Sequence, residues 1–327
     1  MNEHFLKYIQ IKNFKCFTDF KAEGFQRVNL IGGKNNVGKT ILMEACYVNV
    51  ASKSIKEFTY NLIRIKTMRE KINLLQDLSK SDNNSIRDNI LKYIELLNDM
   101  ETASNCNKTL YKIEENSGIK EYIFEFNQHH IKVNKNDFSF DTAPAGNIIF
   151  IDNFGFLNRE IIKYYTSIQK KDKEDYLNTL IQEFDPNILA FKFFNDKPQC
   201  KVNDTYLELS EFGDGIKQLI SIVVALYTTE NGYLFIDEID NGIHYTMLEK
   251  IWEIVLTLSK ELNVQVFATT HSKECIEAYA RVAKKLEDKE IAYIKMTRLN
   301  NGEIKAGVRN YELLQDSMEE SHEVRGW

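Results

Sequence analysis

The chain has 327 residues, 43% of them hydrophobic and 28% charged, with a formal net charge of -6, which is enough for one large domain or two smaller ones. A sizeable core under a solvated surface is within reach, and three prolines with 14 glycines exclude a low-complexity or linker-dominated chain. The acidic balance excludes a globally basic nucleic-acid binder, so any DNA contact requires a local basic patch.

The N-terminus lacks the apolar segment of a secretory leader, and no run approaches the roughly 18 apolar residues of a membrane span. The expected address is the cytoplasm, with no membrane partner. Cys16, Cys46, Cys106, Cys200 and Cys275 are scattered, without a CxxC pair. They read as reduced thiols rather than a disulfide framework or a zinc site.

In chain order, residues 8–31 read as strands: YIQIKNFKCF alternates, and RVNLI leads into a glycine turn. A helix is expected over 40–52. Residues 55–100 read as helical and lysine-rich, interrupted by SKSDNNS. Residues 109–140 read as a β-meander (LYKIEE, EYIFEF, HIKVN) with Asn-Ser-Gly as one turn, and NIIFID as a further short strand. Residues 159–184 read as helical up to Asp185-Pro186, followed by the strand-like pieces LAFKFF and TYLEL. The last third alternates regularly: helix 216–227, strand 233–236, helix 245–262, strand 264–268, helix 273–286. IAYIKMTRLNNGEI then reads as an edge hairpin. Such alternation predicts an α/β fold around a mainly parallel, covered sheet. Residues 1–52 and 145–327 are assigned to this core and 53–144 to an inserted lobe, part helical and part meander.

GKNNVGKT (Gly33 to Thr40) fits G-x-x-x-x-G-K-[ST] between an apolar strand and an amphipathic helix. Glycines supply the dihedrals that let backbone N–H groups converge on phosphates, and the helix adds its N-terminal dipole. Gly33, Lys34, Asn35, Asn36, Val37, Gly38, Lys39, Thr40 and Ile41 are therefore the expected nucleotide contacts, with Lys39 neutralising phosphate charge and Thr40 offering its hydroxyl to Mg²⁺. YLFIDEID ends an apolar strand in acids: Asp237 is read as the metal-side carboxylate and Glu238 as the base that orients and deprotonates water. VQVFATTHS is a second apolar strand with a polar tip, which would carry His271 to the terminal phosphate. Ile216, Leu219, Ile220 and Val223, like Leu248, Ile251, Val255 and Leu258, have helical spacing and read as core. His129-His130 reads as an exposed strand pair. RIKTMREK and KKDK read as solvated helix faces, with nucleic-acid contact as the alternative.

These ordered motifs, together with LSEFGDGIKQLISIVVAL, resemble the ABC-type ATPase heads of the SMC, RecF and OLD-like group. The resemblance implies a P-loop NTPase head with a mixed central sheet, flanking helices and the inserted α+β lobe. ATP would be sandwiched between two heads, in a homodimer or higher homo-oligomer. Each head would lend the other a signature loop, here Ser210, Gly213, Asp214, Gly215 and Lys217, with Gly213 at the usual serine position. DNGIH (240–244) falls at the D-loop, with His244 where aspartate is usual, a flavour similar to small prokaryotic AAA-type, OLD-like proteins. The OLD-like proteins that carry a nuclease do so C-terminally, as a Toprim domain. Its acidic constellation is missing from this sequence, so a separate effector, a nuclease or toxin, is expected. The resemblance thus implies an ATP- and Mg²⁺-dependent switch in defence against phage. A RecF-like repair ATPase that binds DNA and a non-hydrolysing assembly scaffold are the alternatives.

Overall fold

A computed structural model describes residues 5–70, 92–97, 99–116, 119–134 and 146–319. The SKSDNNS cluster lies outside them. The chain opens with the hairpin β1 (Tyr8–Phe14) and β2 (Phe17–Glu23), then β3 (Val28–Gly33), α1 (Lys39–Ala51) and α2 (Ile55–Glu70). Four strands follow: β4 (Met100–Ser104), β5 (Lys108–Asn116), β6 (Ile119–Phe126) and β7 (His129–Asn134). After β8 (Ile148–Ile151) come α3 (Asn158–Gln169), α4 (Glu174–Phe184), β9 (Ile188–Phe194), β10 (Lys197–Val202) and β11 (Thr205–Glu208). The last third contains α5 (Asp214–Thr228), β12 (Tyr233–Ile236), α6 (Leu248–Glu261), β13 (Gln265–Thr269) and α7 (Lys273–Lys285), closing with β14 (Ile291–Arg298), β15 (Ile304–Asn310) and α8 (Tyr311–Glu319).

The central sheet has the order β15-β14-β3-β13-β12-β8, parallel except for the β14/β15 hairpin at its edge. β3, β12 and β13 are buried along their whole length, as expected of parallel strands covered on both faces. Their side chains divide by the two-residue period. Leu30, Leu234, Ile236, Val266 and Ala268 face one core, with α3 to α7; Ile31, Tyr233, Phe235 and Phe267 face the other, with α1 and α2.

Over that second core lies an antiparallel sheet, β2-β1-β4-β5-β6-β7. β4 pairs with β1 (Ile9↔Ser104 to Lys12↔Glu101), so the meander assigned to an inserted lobe continues the N-terminal hairpin. β4 begins at Met100, the last residue of the expected helical stretch; its five residues METAS carry no apolar run, and long-range pairing decides their conformation. The helix α1, expected to be amphipathic, is buried from Leu42 to Ala51, because it sits between the two sheets.

On the opposite face, residues 159–184 form two helices, not one. The chain turns at Asp172 (φ 51°), so KKDK is a turn rather than a helix face. β10 was not anticipated from the sequence, since it contains Pro198. The ladder of β11 stops at Glu208 opposite Gln199, leaving Pro198 with β9 alone as a neighbour. All five cysteines are free. His129 and His130 begin β7 as an exposed pair, His130 against Glu125 at 3.2 Å. No helix among the described residues is long and apolar enough to cross a membrane.

Buried amides tie the meander to α1. Asn107 Nδ2 donates to the carbonyls of Asn49 (2.8 Å) and Ser52 (2.7 Å), which the end of α1 leaves unpaired. Asn49 Nδ2 donates back to Asn107 O at 2.9 Å. Asn107→Ala orphans those carbonyls and is expected to cost about 2–3 kcal/mol. Urea unfolding should show one shifted transition in both circular dichroism and the fluorescence to which Trp252 of α6 contributes; an unshifted fluorescence transition would show the meander folding independently.

Candidate active site

The phosphate loop begins where β3 runs out of room for side chains. Gly33 has φ 143°, and a methyl group there would lie 2.5 Å from Met296 O. Asn36 (φ 61°) and Gly38 (φ 90°) complete the left-handed turns that aim the loop's N–H groups inward. Gly38 is the N-cap of α1 and no side chain caps the helix, so its first amides are free to meet an anion. The β1–β2 turn supports the loop from outside: a methyl group on Gly38 would meet Cys16 Sγ at 3.1 Å and Phe17 Cζ at 3.3 Å. Lys34, Asn35 and Asn36 are exposed, Val37 is buried, and Ile41 packs against the core between the sheets.

Lys39 curls over the loop, its Nζ donating to Gly33 O (3.0 Å) and Lys34 O (2.9 Å). Burial lowers its pKa, while the charges of Glu238, Asp237 and Asp240 pull the other way. Thr40 Oγ1 donates to Asp237 Oδ1 at 3.0 Å, joining the loop to the tip of β12. The same oxygen accepts from Thr269 Oγ1 at 2.6 Å, and Thr269 Oγ1 in turn accepts from Glu238 N at 2.8 Å. One hydroxyl at the end of β13 thereby orients both acids. Burial pushes the Asp237 carboxyl up; the hydrogen bonds from Thr269 and Thr40 oppose the rise. Glu238 sits at φ 48°, a left-handed conformation unusual for a residue with a side chain. His271 Nδ1 lies 3.7 Å from Glu238 Oε1.

Lys39, Thr40, Asp237, Glu238 and His271 therefore converge, contributed by the start of α1 and by the residues just after β12 and β13. The signature residues lie elsewhere in the chain. Ser210, Gly213 and Asp214 are exposed and Lys217 half-buried. Gly215 packs against the loop 240–244, where a methyl group would lie 2.7 Å from Gly242 O. His244 is exposed, its Nδ1 at 2.8 Å from Thr246 Oγ1.

Sequence reading missed Thr269, Thr270, whose hydroxyl donates to Asp240 Oδ1 at 2.7 Å, and Arg298, which donates to Asn36 O at 3.2 Å. The polar tip of VQVFATTHS was the available signal for the two threonines; nothing local marks Arg298.

Asp237 and Thr40 present hard oxygen donors 3.0 Å apart, the kind Mg²⁺ takes. Among the described residues no group of three or more His, Cys, Asp or Glu side chains could hold a metal by itself. This suits a cation that draws most of its ligands from phosphates and water.

Residues 156–276 match the model of the AAA ATPase domain family. An ATP/GTP phosphatase of Helicobacter pylori is 26% identical, over 88% of this chain and 90% of its own length. ABC transporter D family member 3 of Dictyostelium discoideum is 24% identical over 42% of this chain, which spans 18% of that protein. Among solved structures, an Smc head bound to the C-winged helix domain of ScpA matches with TM-score 0.54 and 12% identity, covering 94% of this chain and 99% of that one. An Smc head with an extended coiled coil, bound to the C-terminal domain of ScpA from Pyrococcus furiosus, matches with TM-score 0.52 and 11% identity, covering 97% and 99%. The fold is that of SMC ATPase heads, and the chain is an ATPase.

At Asp237 burial outweighs pairing. Its folded pKa lies above the unfolded value, so folding loses stability as pH rises from that unfolded value through the folded one. Asp237→Asn removes this loss and keeps an acceptor for both threonines. The nucleotide-free variant is expected to melt no lower than wild type at neutral pH, while phosphate release from ATP falls at least about 100-fold. Melting curves and phosphate assays check the two halves.

Proposed function

We propose that this ATPase of AAA/SMC-like type is a switch, in which two heads join around ATP and part after its hydrolysis, and which thereby controls a separate effector protein. The observation that carries the reading is the shared Asp237 oxygen. It draws Thr40 of the phosphate loop and the acid pair of β12 into one site.

In that site Lys39 leaves its two carbonyl partners for the phosphate oxygens, and the amides at the start of α1 hold the phosphate charge. Thr40 and Asp237 hold Mg²⁺, which when bound neutralises charge on the phosphates. Glu238 accepts the proton of the attacking water. His271, beside Glu238, orients that carboxylate and would lie near the terminal phosphate. The products are ADP and phosphate.

The signature residues support a two-head assembly. Ser210, in the turn before α5, and Gly213 and Asp214 at its N-terminus are exposed and so available to a second copy. Contacts to the nucleotide made only in the joined state supply the differential affinity that any ligand-driven switch requires. The effector we infer is a nuclease or toxin, the setting prokaryotic defence against phage and the compartment the cytoplasm. The likeness to SMC heads solved with a bound partner domain supports partner control.

Glu238→Gln should bind MgATP without turnover and hold the joined state. Light scattering is expected to show the variant at twice the monomer mass or more with MgATP and at the monomer mass without it. One mass under both conditions would overturn the switch.

A further inference from the structure

A charged group outside every motif reaches the nucleotide site from the side. Glu44, in the second turn of α1, has 2% exposure. Its Oε1 accepts from Arg69 Nε at 2.5 Å, and its Oε2 from Arg69 Nη2 at 2.9 Å and from Lys15 Nζ at 2.7 Å. Lys15 comes from the β1–β2 turn, beside the Cys16 that packs on Gly38; Arg69 comes from the last turn of α2.

Two cations share one carboxylate, so the cluster carries an excess positive charge next to the phosphate loop. Burial lowers the pKa of Lys15; the charge of Glu44 opposes that shift, and Arg69 adds a smaller lowering. The charge of Arg69 acts on Asp237 and on Cys16, and that of Glu44 also acts on Asp237. The guanidinium therefore stands within electrostatic range of both the loop and the acid at the tip of β12. Its side chain is 43% exposed, and the Nη1 hydrogens donate to no described residue.

We propose that Arg69, held in place by Glu44, is a second phosphate-binding cation of the nucleotide site and engages the polyphosphate chain of the bound nucleotide through its remaining donors. Glu44 fixes one edge of the planar fork and leaves the other for an anion, which would neutralise the excess charge. The proposal rests on the phosphate-loop reading above and adds to it a residue that sequence spacing does not mark.

The test is competition against a fluorescent ATP analogue, with MgATP and inorganic tripolyphosphate as competitors, in wild type, Arg69→Ala, Arg69→Lys and Lys39→Ala. Arg69→Ala leaves Glu44 paired with Lys15 at 2.7 Å, so the fold is expected to persist, and thermal melts check this. The expected result is about tenfold weaker binding of both competitors in Arg69→Ala, with partial recovery in Arg69→Lys. Unchanged affinity in Arg69→Ala, or weakened ATP binding with unchanged tripolyphosphate binding, overturns the proposal. So does a weakening that Arg69→Lys leaves unrestored. If Lys39→Ala weakens both competitors while Arg69→Ala does not, the Arg69 role alone fails. If Lys39→Ala changes nothing, the phosphate-loop reading fails and this inference with it.

Discussion

The sharing of Asp237 Oδ1 by two threonine hydroxyls is the constraint around which the catalytic half of this molecule is arranged. Thr40 reaches it from 197 positions away in sequence and Thr269 from 32. Neither bond forms unless β3, β13 and β12 lie side by side in parallel, since only that order brings the start of α1 and the tip of β13 to the same acid. The parallel order in turn requires helical crossovers and a sheet covered on both faces. Thr269 accepts the Glu238 amide as well, and so helps hold Glu238 in its left-handed backbone conformation. Such conformations cost on the order of 1 kcal/mol and persist where neighbours over-determine them.

Two kinds of buried polarity serve different ends. Asn49 and Asn107 each donate to the other's backbone carbonyl and close the end of α1, joining layers. Glu44 and Asp237 are charges, and burying charge without full compensation is costly. Both lie alongside the nucleotide site. That cost is what makes the site responsive: an arriving anion or cation meets groups already desolvated and already aimed, so its interactions are stronger than the same groups would give in water.

Legibility in the sequence followed locality. The phosphate loop is eight consecutive residues with fixed spacing, and the acid pair ends an uninterrupted apolar run, so both could be found by eye. The helices and strands of the last third fell within a few residues of expectation, because their periods are long and regular. Sequence reading failed where partners are remote. Nothing in METAS announces that it pairs with β1, and Pro198 hides β10 behind a residue that strands usually avoid. Glu44, Lys15 and Arg69 each look like ordinary surface charges until folding brings both cations within 3 Å of the Glu44 carboxylate. The burial of α1 on all sides was likewise not visible, since burial depends on how many layers pack around a helix.

The placement of α1 between two sheets bears on how far the protein can be trimmed. Excising 53–144 to obtain a minimal catalytic head would unroof α1 and remove the amide that closes it at Asn107. It would also bare the edge of β1 where β4 now pairs, and an open strand edge recruits other strands. The described residues of this stretch that pack on α1 and pair with β1 are structural roofing, so any minimal head has to retain them.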